Sequence, residues 1–174
     1  MLHLVRHGRP LLDPDAAADT WPLDPAGLAD VDALRASGRL PADADWFSSP
    51  EPKARETAAR LTDRPVTVVD DLGEQRRGAH WFDSAESFGA AVRTAFERPD
   101  DSAAPGWEPL TRTRARVLAA VRLLVSEHPG DLVLVGHGTA WTVLVAELTG
   151  RPPDLASWAR LEMPDVWTVG DSPE

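Results

Sequence analysis

The apolar positions change period along the chain, and the changes separate strands from helices. Leu2, Leu4 and Val5 form a short run broken at Arg6-His7-Gly8, with Pro10 close behind. A run this short, ended by glycine and proline, predicts a buried strand over residues 1–6. Leu28, Val31 and Leu34 recur at helical spacing behind Asp24-Pro25. Asp can cap there and Pro fits the first turn, so residues 25–37 are expected to be helical, stopped by Gly38. Asp45 to Ser48 reads as a second strand, and Ser49-Pro50 as the start of a helix with Ala54, Ala58 and Leu61 on its inner face. Residues 66–69 read as a third strand. Val117, Val121, Leu124 and Val125 make a stripe that predicts a long helix over residues 109–127, ended by Pro129-Gly130. The continuous run Leu132 to Val135 fits a strand buried on both faces, followed by a helix over 139–149 that closes at Gly150. Residues 159–169 are expected to add a last strand, interrupted by Pro164.

Residues 73–107 carry two Trp, three Phe, Pro99 and Pro105 on weak periodicity. That fits one short helix near 85–97 inside a long excursion, and such excursions often cover active sites. Strands alternating with helices imply an α/β class: a three-layer αβα sandwich with a mostly parallel central sheet. One domain over residues 1–174 is expected, with 73–107 as its cap.

Composition narrows the function. The chain has 174 residues, 43% apolar and 26% charged, enough to bury roughly 70% of its unfolded surface without a staple. The absence of cysteine excludes disulfides, Cys zinc sites and a thiol nucleophile. Eighteen basic against 28 acidic residues give a formal charge of −10, which argues against nucleic-acid partners and anionic membranes. A small anionic ligand therefore needs a local basic pocket. No apolar run approaches the ~20 residues of a membrane span and no signal-peptide pattern opens the chain, so the cytoplasm is the expected location. Lys53 is the single lysine.

Two expected strands end alike, at His7-Gly8 and at Gly136-His137-Gly138. In a doubly wound sheet, ligands bind at the carboxyl ends of strands, and neighbouring strands lie only ~4.8 Å apart. Both imidazoles can then face one pocket, with Gly8 and Gly138 letting backbone N–H groups approach an anion and a helix start near Thr139 aiming its positive end there. Taken singly, each histidine is more simply a packed side chain. Taken together, with Arg6 adjacent and a basic residue at another helix start, they favour the pocket.

Leu4-Val5-Arg6-His7-Gly8, Ser48-Ser49-Pro50 with Lys53 and Thr57-Ala58 beyond, Leu72 to Glu74, and Val135-Gly136-His137-Gly138 together resemble the histidine phosphatase superfamily, the phosphoglycerate mutase-like group. The resemblance implies that His7 is the nucleophile, that Arg6, Lys53 and His137 clamp the phosphoryl oxygens, and that Glu74 is the general acid. It implies metal-independent hydrolysis of a phosphate monoester through a phosphohistidine, with no cofactor and a small phosphorylated metabolite as substrate. Neutral imidazole is a good nucleophile, and phosphoryl transfer rests on positioning and cationic stabilisation. Other readings are a mutase, a protein phosphohistidine phosphatase and a non-catalytic phospholigand-binding domain. The last is motivated by Lys53, which stands where the family most often has arginine. Lysine is a mobile point charge and arginine a rigid fork. Arg55, two helical positions on, should point roughly 200° away from Lys53.

Several residues have blander readings. Asp70, Asp71, Asp83 and Glu86 surround Glu74, which only its place after Leu72-Gly73 selects. Arg9, Arg76 and Arg77 are read as surface arginines, His3 as structural and His128 as a helix-end cap. His80 and Trp81 are placed in the excursion, and Trp81, Trp107, Trp141 and Trp158 are read as core. A zinc site from His3, His7, His80 and His137 lacks metal-ligand spacing.

Overall fold

The computed structural model describes residues 1–78 and 81–170. Its centre is a five-stranded sheet built from β1 (Leu2–Arg6), β2 (Asp45–Ser48), β3 (Val66–Val68), β4 (Leu132–Gly136) and β5 (Asp165–Val169), in the order β3-β2-β4-β1-β5. β5 runs antiparallel to β1, and the other pairings are parallel. The helices are α1 (Leu28–Ala36), α2 (Pro52–Leu61), α3 (Ala85–Glu97), α4 (Leu110–Glu127), α5 (Gly138–Thr149) and α6 (Leu155–Trp158).

Alternation along the strands builds two cores. Leu2, Leu4, Leu132 and Leu134 face α4 and α5, packing with Val117, Val121, Trp141 and Leu144. Val5, Val133 and Val135 face α1 and α2, packing with Val31, Leu34, Ala54 and Ala58. This is the three-layer α/β sandwich. The long helix departs from expectation at one position: Val125 is half exposed, whereas Leu110 and Thr113 complete the buried stripe. The start of α2 also differs. Glu51 occupies the N-cap without a side-chain capping bond, its carboxylate turned instead to Lys53, His137 and the Glu74 N–H, and Pro52 opens the first turn. The last strand is confined to Asp165–Val169, beyond Pro164.

The chain leaves β1 toward α1 on one face and leaves β4 toward α5 on the other. Adjacent parallel strands whose connections diverge in this way open a crevice at their carboxyl ends. The crevice is held by one tight contact. The Trp141 ring lies where any Cβ on Gly136 would stand, and its indole N–H donates to Val5 O at 2.8 Å. Helix α5 is thereby fixed to the ends of both central strands. A third, smaller cluster joins α3 to α4 and α5 through Val92, Trp107, Leu110 and Val143.

Candidate active site

The β1–β4 register pairs Arg6 with Gly136, so the residues that follow, His7 and His137, emerge side by side. His7 N–H donates to Gly136 O at 2.9 Å, and the two rings stand edge to face with centroids 5.1 Å apart. His7 Nδ1 lies 2.6 Å from Gly8 O. A carbonyl only accepts, so Nδ1 carries the proton and Nε2 keeps its lone pair. His137 Nε2 meets Ser49 Oγ at 2.7 Å and Glu51 Oε1 at 3.2 Å. Its Nδ1 is buried with no partner among the described residues.

These groups open on a cavity of about 600 Å³ that also takes in Arg6, Lys53, Glu74 and Gly138. Lys53 is buried and Arg55 exposed, as the helical turn between them requires. The Lys53 ammonium donates to Ala18 O and to Glu51 Oε2, both at 2.5 Å. Arg6 is anchored by Nη1 on Leu161 O at 2.8 Å, and its buried Nε has no partner among the described residues. The cavity wall holds five cationic side chains, Arg6, Lys53, Arg76, Arg77 and Arg116, against four acidic ones, Asp19, Glu51, Asp70 and Glu74. The chain's formal charge of −10 is locally reversed there.

Glu74 is held at the start of α5. Its carboxylate accepts from Thr139 N at 3.2 Å, Ala140 N at 3.0 Å and Gln75 N at 2.9 Å. The positive end of α5 thus already holds an anion, one supplied by the protein. Gly8 differs from its expected role as well: its N–H donates to Thr57 Oγ1 at 2.9 Å, and a Cβ there would collide with Val31. Gly8 serves packing. Gly138 sits on the cavity wall, where Leu161 and Arg6 crowd any added Cβ.

A family model described as the histidine phosphatase superfamily (branch 1) matches residues 2–168. The chain belongs to that superfamily. It is 26% identical over 164 residues to an uncharacterized phosphatase, PhoE of Bacillus subtilis, spanning 88% of this chain and 80% of that protein. Among solved structures, Bacillus stearothermophilus YhfR shares the fold, with a TM-score of 0.74 at 23% identity over 98% of this chain and 91% of that one. A mycobacterial glucosyl-3-phosphoglycerate phosphatase matches with a TM-score of 0.70 at 25% identity, covering 92% of this chain and 83% of its own. Membership makes the chain an enzyme of phosphatase or mutase type.

Three parts of this histidine phosphatase site were not readable from sequence. Glu51 stands between Lys53 and His137 and accepts the Glu74 N–H at 2.9 Å; an acid two residues before the only lysine was the available signal. Arg116 grips the turn that carries Glu74, donating to Gly73 O at 2.7 Å and Glu74 O at 2.5 Å. Arg77, read as a surface residue, is largely buried, donates to Thr139 Oγ1 at 2.7 Å and lies 3.8 Å from Glu74 Oε2. Arg76 is exposed on the cavity rim, and Arg9 is exposed on Asp24 at 2.9 Å. His3 is buried against β5, and His128 pairs with Asp45 at 2.9 Å. His80 lies outside the described residues. Among the described residues no group of three or more His, Cys, Asp or Glu is arranged to hold a metal, and no helix is long and apolar enough to cross a membrane.

Burial dominates the protonation of both histidines. Desolvation, followed by the nearby His137, Lys53 and Arg6 charges, holds His7 well below 6.5. Desolvation likewise lowers His137 to about 3, with Lys53 and Arg77 adding to it and Glu74 opposing. For Glu74, burial favours the neutral acid, but Arg77, His137 and the Gln75 and Thr139 amides outweigh it and bring the carboxyl to about 2. The unliganded site therefore contains neutral imidazoles and an ionised Glu74 at neutral pH, whereas general-acid work needs that carboxyl protonated. Below pH 6.5 the unfolded chain binds histidine protons that the folded chain refuses, so stability should fall as pH drops from about 6.5 toward 3. His137→Gln should make that decline shallower between pH 7 and 5 in urea titrations. An identical pH dependence in the variant would contradict the assignment.

Proposed function

We propose that this chain hydrolyses phosphate monoesters through a phosphohistidine on His7, in a scheme that needs no metal or cofactor. The observation that carries the reading is the His7 imidazole, whose Nδ1 is tied to Gly8 O at 2.6 Å while Nε2 has no hydrogen bond among the described residues and the ring lies near Arg6, Lys53 and His137. The phosphatase names of PhoE and the mycobacterial enzyme support it.

The phosphoryl group would sit where unsatisfied donors converge. The buried Nε of Arg6 and Nδ1 of His137 lack partners among the described residues, and a buried donor left unmade costs about 1–3 kcal/mol. Phosphoryl oxygens satisfy both. A phosphate anion beside His137 favours the imidazolium, which keeps its Nε2–H on Ser49 Oγ and Glu51 Oε1 and gives its Nδ1–H to a phosphate oxygen. The Lys53 ammonium adds positive charge beside them.

His7 Nε2 attacks phosphorus in line, forming the P–N bond as the ester P–O bond breaks. The leaving alkoxide takes its proton from Glu74. That proton arrives with a monoanionic substrate, because negative charge placed beside Glu74 raises its pKa from the unliganded value of about 2. Water then attacks the phosphohistidine, giving a proton back to Glu74; the P–N bond breaks, and neutral His7 and inorganic phosphate result.

The deciding experiment is p-nitrophenyl phosphate hydrolysis with EDTA present. Wild type should turn over and His7→Ala should not; equal rates in the two proteins would overturn the nucleophile. Glu74→Gln should slow ethyl phosphate roughly 10²–10⁴-fold and p-nitrophenyl phosphate much less, since nitrophenolate leaves without a proton. Equal losses on both esters would remove the acid role. Glu51→Gln withdraws a negative charge from Lys53 and from the bound dianion, so inorganic phosphate should bind roughly three- to tenfold tighter by calorimetry. Weaker binding would mean that Glu51 acts chiefly by positioning Lys53 and His137.

A further inference from the structure

Beside the phosphoryl site lies a second cavity of about 320 Å³, within the size range of small-molecule sites. The two adjoin, because Leu12, Ala18, Trp21, Arg77, Gly78 and Phe88 belong to the walls of both. The second is walled largely by rings. Trp21 and Trp81 meet edge to face at 6.0 Å, Phe82 and Phe88 at 5.7 Å, and Phe88 and Trp107 at 6.0 Å. These are geometries that aromatic pairs prefer.

Of the aromatic residues expected to be core, only some are. Trp141 and Trp107 are buried, whereas Trp81 is 43% exposed and Leu12 58% exposed on this wall. Apolar surface left in water beside a site is a driving force for covering it. The wall's polar side-chain groups are few among the described residues: Ser84, Arg77 and the indole N–H groups, of which the buried Trp107 Nε1 has no partner. Among the described residues Arg77 is the one charged side chain of the wall; its Nη2 is committed, whereas its buried Nε has no hydrogen-bond partner among them. Its guanidinium stacks 5.0 Å from the Phe88 centroid and 4.7 Å from that of Trp107, and bonds Thr139 at 2.7 Å.

We propose that this cavity receives the leaving group, and that the substrate is a phosphate monoester whose alcohol part is apolar, an alkyl or aryl group. The inference rests on the phosphatase reading above. The phosphate faces His7, the ester oxygen faces Glu74, and the apolar part extends past Arg77 between Trp21, Trp81 and Phe88. When the P–O bond breaks, the phosphoryl group stays on His7 Nε2 and the oxygen takes the Glu74 proton, so a neutral apolar alcohol leaves through the aromatic cavity.

Straight-chain alkylphosphonates test this without requiring turnover, since their charged head is constant and only the tail grows. Calorimetric titration from methyl to hexylphosphonate should show affinity rising about two- to fourfold per CH₂ until the cavity fills. The exposed pair Leu12→Ala/Trp81→Ala should reduce that increment toward unity, and both positions are open enough for the variant to fold. Affinity that is flat with chain length, or an undiminished increment in the variant, would overturn the proposal. Turnover of the matching alkyl phosphates, measured in parallel, separates the two readings. Affinity that climbs without turnover keeps the apolar subsite and overturns hydrolysis, whereas turnover with flat affinity and flat kcat/KM does the reverse.

Discussion

The parallel pairing of β1 with β4 is the constraint on which the site depends. A register with Arg6 opposite Gly136 delivers two imidazoles from segments far apart in sequence to ring centroids 5.1 Å apart. The chain leaves those strands toward opposite faces, so the space beyond them stays open while everything around it is packed. Trp141 secures the arrangement by filling the place of a Gly136 side chain and bonding Val5 O. Small residues here follow from crowding by neighbours.

Around that frame the charges are arranged to be tolerable before a ligand arrives. Burying an unpaired lysine would be costly, and Glu51 pairs with Lys53 at 2.5 Å while also meeting His137. Glu74 plays a matching part at the start of α5, where helix amides and Arg77 hold it ionised. The resting site is nearly neutral in its own ion pairs, yet the buried nitrogens Arg6 Nε and His137 Nδ1 have no partner among the described residues. In the proposed reaction a phosphoryl group would supply the acceptors that the protein omits. On that reading the same groups stabilise the empty fold and, once redistributed, a bound anion. In the proposed reaction that redistribution would give Glu74 two protonation states to work between, which an isolated surface carboxylate would lack at neutral pH.

Much of the fold was legible in the pattern of apolar residues. β1, β2, β4 and α3 lie where period and punctuation put them, since buried strands require continuous apolar runs and glycine or proline stops them. The misreadings have local causes. Val125 sits at the edge of the α4 stripe, where a few tens of degrees decide burial. Ser49 fits a helix cap in sequence, but its hydroxyl is drawn to His137 across the sheet. Arg77 reads as surface because arginine usually is, and only the aromatic faces of Phe88 and Trp107 give it a buried place.

The sequence by itself determined the strand and helix order, the two histidines at strand ends and the single lysine at a helix start, because these are properties of short stretches of chain. Tertiary structure alone decided that Glu51 joins Lys53 to His137, that Glu74 caps α5, that the Gly8 amide belongs to Thr57, and that four aromatic segments enclose a cavity beside the site. Each of these pairs groups separated along the chain or turned toward a third element. Their partners are chosen by the packing of whole layers, which no local periodicity encodes.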